Sequence, residues 1–374
     1  MAQAIETAGE ILVLAGTKDG VYLLRSDGRR EAWRLSGPSL VRHDVCHVVR
    51  DRCGTLWAAA NPRDGAPAIF HSEDEGGTWL PCGELPACER AWHVRPGRSD
   101  ENGRVWAGVM PATLLRSDDR GQTWQDVAGL NAHPSRPEWW PGGGGLCMHT
   151  VILPEGQPGR VYAGISVAGF FRSDDDGATW TPVNEGTSSM AEVAATEFFG
   201  GKLEHPGVHR CVHKVVIDPT NPETLYMQQH EGVYRSDDGG RNWTNIGSGL
   251  PSPFGFPVAA APGTGPAGCS VWVIPENGET IHTDDALRVW RTDDGGETWT
   301  ASVNGLPTGK HNVLREGMAA DMLEPAGVYF GTTAGTLFAS TDGGAHWSAI
   351  AEGLPGIQSV EVSLLSRFVA KGCC

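Results

Sequence analysis

The sequence has few basic residues and no long apolar run. Its 29 lysines and arginines face 45 aspartates and glutamates, a net charge of −16, and no basic stripe could neutralise the phosphates of a nucleic acid or an anionic membrane. No segment reaches the roughly 20 apolar residues of a membrane helix, and the start, MAQAIETAGEILVLAG, lacks the pattern of a signal peptide. These absences argue against nucleic-acid and membrane partners.

The cysteines form no recognisable framework. The chain has nine of them, an odd number, and no C-x-x-C pair occurs. Such a scattered set is typical of reduced thiols rather than disulfides. We therefore expect a cytoplasmic protein, and the sequence does not indicate its oligomeric state.

What the chain does contain is an eight-residue pattern that ends in tryptophan. The six copies are SEDEGGTW (72–79), SDDRGQTW (117–124), SDDDGATW (173–180), SDDGGRNW (236–243), TDDGGETW (292–299) and STDGGAHW (340–347). The acid at the third position can bind turn amides, and the glycine at the fifth can adopt positive φ. The tryptophan supplies apolar area for packing between neighbouring units. Six copies of one turn predict a structural role rather than six active sites.

The spacing of the copies predicts the architecture. Their tryptophans lie 45 to 63 residues apart, the size of a four-stranded propeller blade. A seventh, degenerate copy ends at Trp33 without an inner strand before ILVLAG, whereas QSVEVSLL (358–365) follows the last copy without outer strands. We predict an all-β, seven-bladed β-propeller that forms one domain over residues 1–374. Its closing blade combines 1–35 with 356–370, which removes exposed sheet edges.

The S-x-D-x-G-x-T-W pattern resembles the Asp-box, or bacterial neuraminidase repeat, of sialidases, xyloglucanases, sortilin and a photosystem II assembly factor. The resemblance covers nearly the whole chain and implies a sialidase-like propeller, but these families do different things on that fold. The sialidase catalytic set is missing. All five tyrosines stand in repeated strand positions, which leaves no nucleophile, and no F/Y-R-I-P motif occurs. The resemblance therefore implies the fold and not sialidase activity.

Histidines recur at one spacing before the second strand of successive blades. Three of them lie 13 residues before a strand aromatic, and one lies 10 before Trp57 across a shorter turn. The residues at this spacing are His47, His93, His149 and His213, with Glu316 in a later blade. Imidazoles and a carboxylate that converge on a propeller axis would suit a divalent metal such as Fe, Cu, Mn or Zn.

From this spacing we predict a metal-dependent enzyme that acts on a small organic substrate, by redox or hydrolytic chemistry. The four histidines would be the metal ligands. Glu316, His43 and His209 would have catalytic roles, with an open coordination position that activates water or oxygen.

Long loops before the inner strands predict a substrate pocket at the mouth of the channel. They include HPSRPEWWPGGGG (133–145), the insertion 190–210, FGFP (254–257) and GKHNVLRE (309–316). The candidate pocket residues are Glu138, Trp139, Trp140, Glu204, His205, Arg210, Phe256, His311 and Arg315.

Two alternatives stay open. A glycoside hydrolase of non-sialidase type needs two carboxylates about 5–9.5 Å apart. Its candidates are Glu138, Glu204, Glu316 and Asp44, with Trp139 and Trp140 as a platform for sugar rings. The other alternative is a non-catalytic binding or assembly scaffold.

Overall fold

A computed structural model describes residues 9–141, 143–277, 286–309 and 311–365. Seven four-stranded antiparallel sheets form the described chain, and their inner strands contact one another in a closed ring. The predicted seven-bladed β-propeller is confirmed. The parts of the predicted closing blade at 1–8 and 366–370 lie outside the described residues.

The blades take their strands from the chain in order, except where the ring closes. Blade 1 contains β1 (Glu10–Thr17), β2 (Gly20–Ser26), β3 (Arg34–Ser39) and, as its inner strand, β28 (Ile357–Leu365). Blade 2 contains β4 (His43–Arg50), β5 (Leu56–Pro62), β6 (Ala68–Ser72) and β7 (Leu80–Pro81). Blade 3 contains β8 (Arg90–Pro96), β9 (Val105–Met110), β10 (Thr113–Ser117) and β11 (Gln125–Asp126). Blade 4 contains β12 (Met148–Ile152), β13 (Val161–Ile165), β14 (Gly169–Ser173) and β15 (Thr181–Pro182).

The remaining three blades follow the same plan. Blade 5 contains β16 (Val212–Asp218), β17 (Asn221–Gln229), β18 (Gly232–Ser236) and β19 (Thr244–Asn245). Blade 6 contains β20 (Gly255–Pro262), β21 (Cys269–Pro275), β22 (Val289–Thr292) and β23 (Thr300–Ser302). Blade 7 contains β24 (Met318–Ala320), β25 (Val328–Gly331), β26 (Leu337–Ser340) and β27 (Ser348–Ala351).

Helical structure lies in the connections between blades. It consists of α1 (Ala128–Asn131), a 3₁₀ turn at Arg136–Glu138 and α2 (Met190–Phe198). In the described ranges, no helix has the length and apolar character needed to cross a bilayer.

The six repeated turns form one hydrogen-bond pattern. In the copy at 117–124, Ser117 Oγ donates to Asp119 Oδ1 at 2.7 Å and accepts the Gly121 N–H at 2.8 Å. Asp119 also accepts the Thr123 N–H at 2.9 Å and the Thr123 hydroxyl at 2.6 Å. These bonds, led by the Thr123 hydroxyl, lower the pKa of Asp119 to about 2. The acid is therefore occupied in holding the turn.

Four of the six tryptophans that end the turns donate a hydrogen bond to the blade before their own: Trp124, Trp243, Trp299 and Trp347. Trp243 of blade 5 donates from Nε1 to the Val183 carbonyl beside blade 4 at 2.9 Å. Trp299 of blade 6 donates to the Ile246 carbonyl beside blade 5 at 2.8 Å. In these four copies the indole combines apolar contact with a bond between blades, whereas the Trp180 indole donates to Gly177 of its own turn.

Strand alternation divides the turns between two faces of the propeller. The six repeated turns join third to fourth strands, so they share one face, here called the repeat face, with the turns between first and second strands. The opposite face carries the turns between second and third strands and the connections between blades, such as 127–147 and 183–211. We call it the pocket face.

Candidate functional site

A cavity of about 320 Å³ opens on the pocket face between blades 4, 5 and 6. Its volume lies in the range of small-ligand sites. Six lining residues carry its chemistry: Trp140, His213, His230, Glu231, Phe256 and Arg315. The connections before β12, β16, β20 and β24 supply its rim, and the turn between β17 and β18 supplies Glu231.

Aromatic rings form one wall of the cavity. Phe256 stacks on His213 with ring centroids 4.7 Å apart, and Phe254 meets Phe256 edge to face at 5.1 Å. His213 donates from Nδ1 to the Gly255 carbonyl at 2.6 Å. Burial, with the nearby Arg315 charge, lowers the pKa of His213 to about 3. The imidazole is neutral, so this wall is apolar and carries no charge of its own.

Glu231 is the carboxylic acid on the cavity wall. It is half-buried, and its Oε2 has no hydrogen-bond partner among the described residues. Burial raises its pKa, although its own main-chain N–H and the Arg210 charge oppose that shift. A carboxyl that is poorly solvated and unpaired keeps its proton to higher pH. Glu231 is therefore a candidate proton donor.

A second carboxylate, Glu192 of α2, is paired with an arginine whose charge also lowers the pKa of Glu231. Arg210 donates from Nη1 to Glu192 Oε2 of α2 at 2.7 Å and from Nε to the Thr187 hydroxyl at 2.9 Å. The same guanidinium is near enough to Glu231 to act on its pKa. An acid that retains its proton and an ion-paired carboxylate thus stand around one arginine.

Three of the nine predicted pocket residues line the cavity: Trp140, Phe256 and Arg315. Trp139 belongs to the core instead, because it is 7% exposed, packs on Phe171 with centroids 5.4 Å apart, and donates from Nε1 to Ser135 Oγ at 2.9 Å. Of the two tryptophans predicted to stack on sugar rings, Trp140 lines the cavity and Trp139 does not.

Glu138 does not line the cavity but binds the main chain of the loop that follows α2. It accepts the main-chain N–H groups of Glu204 at 2.5 Å and His205 at 2.9 Å. Burial alone would raise the pKa of Glu138, but these two bonds and nearby imidazoles lower it. The side chain of Glu204 is exposed, and His205 Nδ1 lies 3.4 Å from Glu138 Oε2. This group fixes the insertion that carries α2.

Three other predicted histidines also lie off the cavity lining. His43 bonds the Val41 carbonyl at 2.9 Å through Nδ1, and His311 bonds the Thr308 carbonyl at 3.2 Å through Nε2. His209 is fully buried, with Nε2 3.8 Å from Glu138 Oε2, and burial lowers its pKa. The structure does not bring these residues together, and their predicted roles remain predictions.

The four histidines of the predicted metal site do not meet at one point. His47 and His93 stack with ring centroids 4.1 Å apart. His149 instead bonds the Val212 carbonyl at 3.0 Å, and His213 bonds the Gly255 carbonyl. These last two rings tie an inner strand to the next blade, which is the structural role of a buried imidazole.

The cause is a shift of strand register that the sequence spacing conceals. Trp106 pairs with Arg95, two residues after His93, whereas Tyr162 pairs with Ile152, three residues after His149. The strand aromatic lies eleven residues after its pairing partner in blade 3 and ten residues after it in blade 4. A histidine 13 residues before the aromatic therefore occupies a different position on the inner strand in the two blades. Each inner strand also carries a β-bulge here. A one-residue offset turns a side chain to the other face.

Glu316 takes part in a charged cluster inside the channel. Lys214 donates from Nζ to Glu316 Oε2, and Glu361 Oε1 lies 3.3 Å from His47 Nε2. The donor atoms of His47, His93 and Glu316 lie within 4.8 Å of one another, but the Lys214 ammonium already neutralises this carboxylate. A second cation would be repelled there. The cluster is therefore a buried ion pair between inner strands of the propeller.

Sequence reasoning missed Glu231 and His230, which both line the cavity. The pocket residues predicted from the sequence precede inner strands, whereas Glu231 and His230 lie in the turn QQHEG between a second and a third strand. Antiparallel alternation places both kinds of segment on the same face. The sequence did hold a signal for these residues. This turn carries a histidine and a glutamate, whereas the corresponding turn of blade 7 reads TTAG and has no ionisable residue.

Comparison with known proteins places the fold among propellers of glycoside hydrolases. The chain is 25% identical over 263 residues to a xyloglucanase of Paenibacillus sp., which covers 64% of this chain and 23% of that protein. The crystal structure of an ancestral GH74 enzyme matches with a TM-score of 0.58 and 18% identity over 82% of this chain and 38% of that one. A structure of YCF48 bound to D1 peptide matches with a TM-score of 0.54 and 15% identity over 87% and 92%.

The xyloglucanases are much longer than this chain. It spans about a quarter of the length of the curated relatives it matches. No family model matches it.

The comparisons correct our functional prediction. The curated relatives are xyloglucanases, and GH74 enzymes share the fold, so the prediction of a metal-dependent enzyme with a histidine-lined site is wrong. The findings support the alternative of a non-sialidase glycoside hydrolase instead. This chain is a seven-bladed β-propeller with homology to xyloglucanases.

Proposed function

We propose that the protein is a glycoside hydrolase whose active site is the cavity on the pocket face. The observation that carries this proposal is Glu231, a half-buried carboxyl in an aromatic-lined cavity whose pKa is raised by burial. A general acid for glycoside cleavage needs such an environment. The homology to xyloglucanases supports a polysaccharide substrate.

Each group has a part in the reaction. Glu231 donates its proton to the glycosidic oxygen as the bond to the anomeric carbon breaks. The Glu192 carboxylate, held by Arg210, acts on the opposite side, either by accepting a proton from the attacking water or by attacking the anomeric carbon itself. Trp140 and Phe256 offer apolar faces to the sugar rings.

The carboxylates predicted from the sequence do not fit this role. Glu316 is bound by Lys214, Asp44 accepts a bond from Arg90 Nη2 at 2.6 Å, and Glu138 holds main-chain N–H groups. None of these three carboxylates, nor Glu204, lines the cavity. Our proposal therefore assigns the proton donor to Glu231, which lines it, and the second carboxylate to Glu192 of α2, the helix that lines it through Met190, Ala191 and Ala194.

The relation of the repeated turn to Asp-box repeats belongs to this proposal, since the sequence pattern resembles that of xyloglucanases. We further propose that residues 1–374 act as one domain in the cytoplasm. The non-catalytic scaffold remains the competing hypothesis, and the experiment below separates it from catalysis.

The test is an assay of xyloglucan hydrolysis in which the release of reducing ends is measured. We expect activity in the parent protein and a loss of about 10²–10⁴-fold in Glu231→Gln, the usual contribution of a general acid. Glu192→Gln should also lose activity. Glu197→Gln is the matched control, because Glu197 lies exposed on the same helix as Glu192.

Two results would contradict the proposal. One is equal activity in Glu231→Gln and Glu197→Gln. The other is binding of xyloglucan by the parent protein without any cleavage, which would favour the scaffold.

A further inference from the structure

Arg315 enters the cavity without an ion-pair partner among the described residues. Its guanidinium carbon lies 5.9 Å from the centroid of the Trp92 ring and 5.7 Å from that of Phe256. Its Nη1 reaches Cys147 Sγ at 3.9 Å, and its Nε is buried with no hydrogen-bond partner in the described part of the chain. Two aromatic rings thus pack against the guanidinium, whereas its N–H groups make few hydrogen bonds to the described residues.

A second arginine that packs on the Trp92 indole has the ion-pair partner that Arg315 lacks among the described residues. Arg90 also lies over Trp92, with its guanidinium carbon 5.1 Å from the centroid, but it donates to Asp44 Oδ2 at 2.6 Å. Within the described ranges, Arg315 makes no such ion pair, although the chain carries 45 acidic residues against 29 basic ones. Arg315 is only half-buried, but its buried Nε has no described partner, and a poorly solvated guanidinium without an anion is costly.

The neighbouring groups do not supply the anion. The Arg315 charge helps to lower the pKa values of His149 and His213, after burial as the main cause. Both rings are neutral, and they bond main-chain carbonyls. Glu231 lies in the same cavity but is not in ion-pair contact with Arg315. Among the described residues, no neighbour therefore supplies the anion, and a bound ligand could do so.

We propose that the cavity binds a glycan that carries a uronic acid, with the carboxylate paired to Arg315. This inference rests on the proposed function, and it names the class of sugar. A carboxylate matches a single guanidinium in charge and in its two-pronged geometry. A phosphate carries nearly two charges, and Arg315 is the one cationic side chain among the residues that line the cavity. Arg315 is thus a specificity-determining residue that favours a sugar with a carboxylate over its neutral counterpart, while neutral glycans still bind without that contact.

The test compares two disaccharides that differ in one group. Cellobiouronic acid, which is glucuronic acid linked to glucose, and cellobiose are titrated into the protein by calorimetry. We expect the acid to bind about 10- to 100-fold more tightly, the effect of a charge-assisted bond in a poorly solvated site. Arg315→Met retains an apolar chain against Trp92 and Phe256, so it should abolish this preference while cellobiose binding is retained.

The control is Arg52→Met, which removes one positive charge from the exposed turn between β4 and β5 on the repeat face. It should leave the preference unchanged. Equal affinity of the parent protein for both disaccharides would overturn the uronate inference, as would a preference that survives in Arg315→Met. Neither result touches xyloglucan cleavage, so failure of the proposed function remains distinguishable. Binding of acetate as tight as that of cellobiouronic acid would overturn the assignment to a sugar.

Discussion

Removal of the Lys214 ammonium should strongly destabilise the propeller, because it leaves a buried carboxylate alone in the channel. Glu316 is 3% exposed and receives a direct bond from Lys214 Nζ. The nearest imidazoles are farther away, with His47 Nε2 at 4.0 Å and His93 Nδ1 at 3.9 Å from its oxygens. Burial also holds the pKa of His93 well below its usual range. Lys214 is therefore the main neutralising group.

Breaking a buried ion pair from one side costs about 3–5 kcal/mol. The entropy of unfolding for a chain of 374 residues is roughly 0.8 kcal/mol per kelvin near the midpoint. Lys214→Met should therefore lower Tm by about 4–6 °C at neutral pH. Differential scanning calorimetry measures this shift directly.

A double variant and a surface variant complete the experiment. Lys214→Met/Glu316→Gln removes both charges and should recover most of the loss, whereas Lys202→Met, at an exposed position, should leave Tm unchanged. If Lys214→Met stays within about 1 °C of the parent protein, water screens the cluster and the reasoning fails. A fall in the parent Tm on addition of a chelator would also refute it, because it would place a metal ion where we place a lysine.

Three further outcomes are expected. Hydrolysis should be lost as pH rises through the raised pKa of Glu231, so a basic limb at the ordinary carboxyl range, measured as kcat against pH, would contradict our assignment. The folded pKa of Asp119 is about 2, below the ordinary 3.8, so its contribution to stability is complete above the ordinary value and is lost as pH falls towards 2. Asp119→Asn should flatten the dependence of Tm on pH in that window, and an unchanged slope would disprove the coupling. Gly305→Ala should destabilise by more than about 1 kcal/mol, because φ is +84° and a Cβ would lie 1.9 Å from the Trp347 carbonyl oxygen. Gly249→Ala is the control, because Gly249 has φ +91° but open space around a Cβ, so it tests backbone strain alone. If chemical denaturation shows the same loss of unfolding free energy for both variants, the clash does not contribute.

The fold could be predicted because its signal is repeated and local. Each copy of the turn encodes its own hydrogen bonds, as Ser117, Asp119 and Thr123 show, and seven occurrences at blade spacing leave few other architectures. The union of β1 and β28 also followed from the strands that the first and last copies lack.

The site could be predicted only in part, because it depends on register and on convergence in space. Equal spacing to His93 and His149 concealed a turn that is one residue longer in blade 3, and no local pattern announces a β-bulge. Trp140, Phe256 and Arg315 were found because long loops indicate the pocket face. The burial that raises the pKa of Glu231 could not be read from its own turn, because the cavity that it lines also takes residues from α2 and blade 6.

The most direct test of the central claim is a crystal structure of the Glu231→Gln variant with a bound xyloglucan oligosaccharide. Our account predicts sugar rings across the cavity of the pocket face. A glycosidic oxygen should lie within about 3.2 Å of the substituted side chain at position 231. An oligosaccharide bound on the repeat face, or in the channel beside Lys214 and His93, would contradict it.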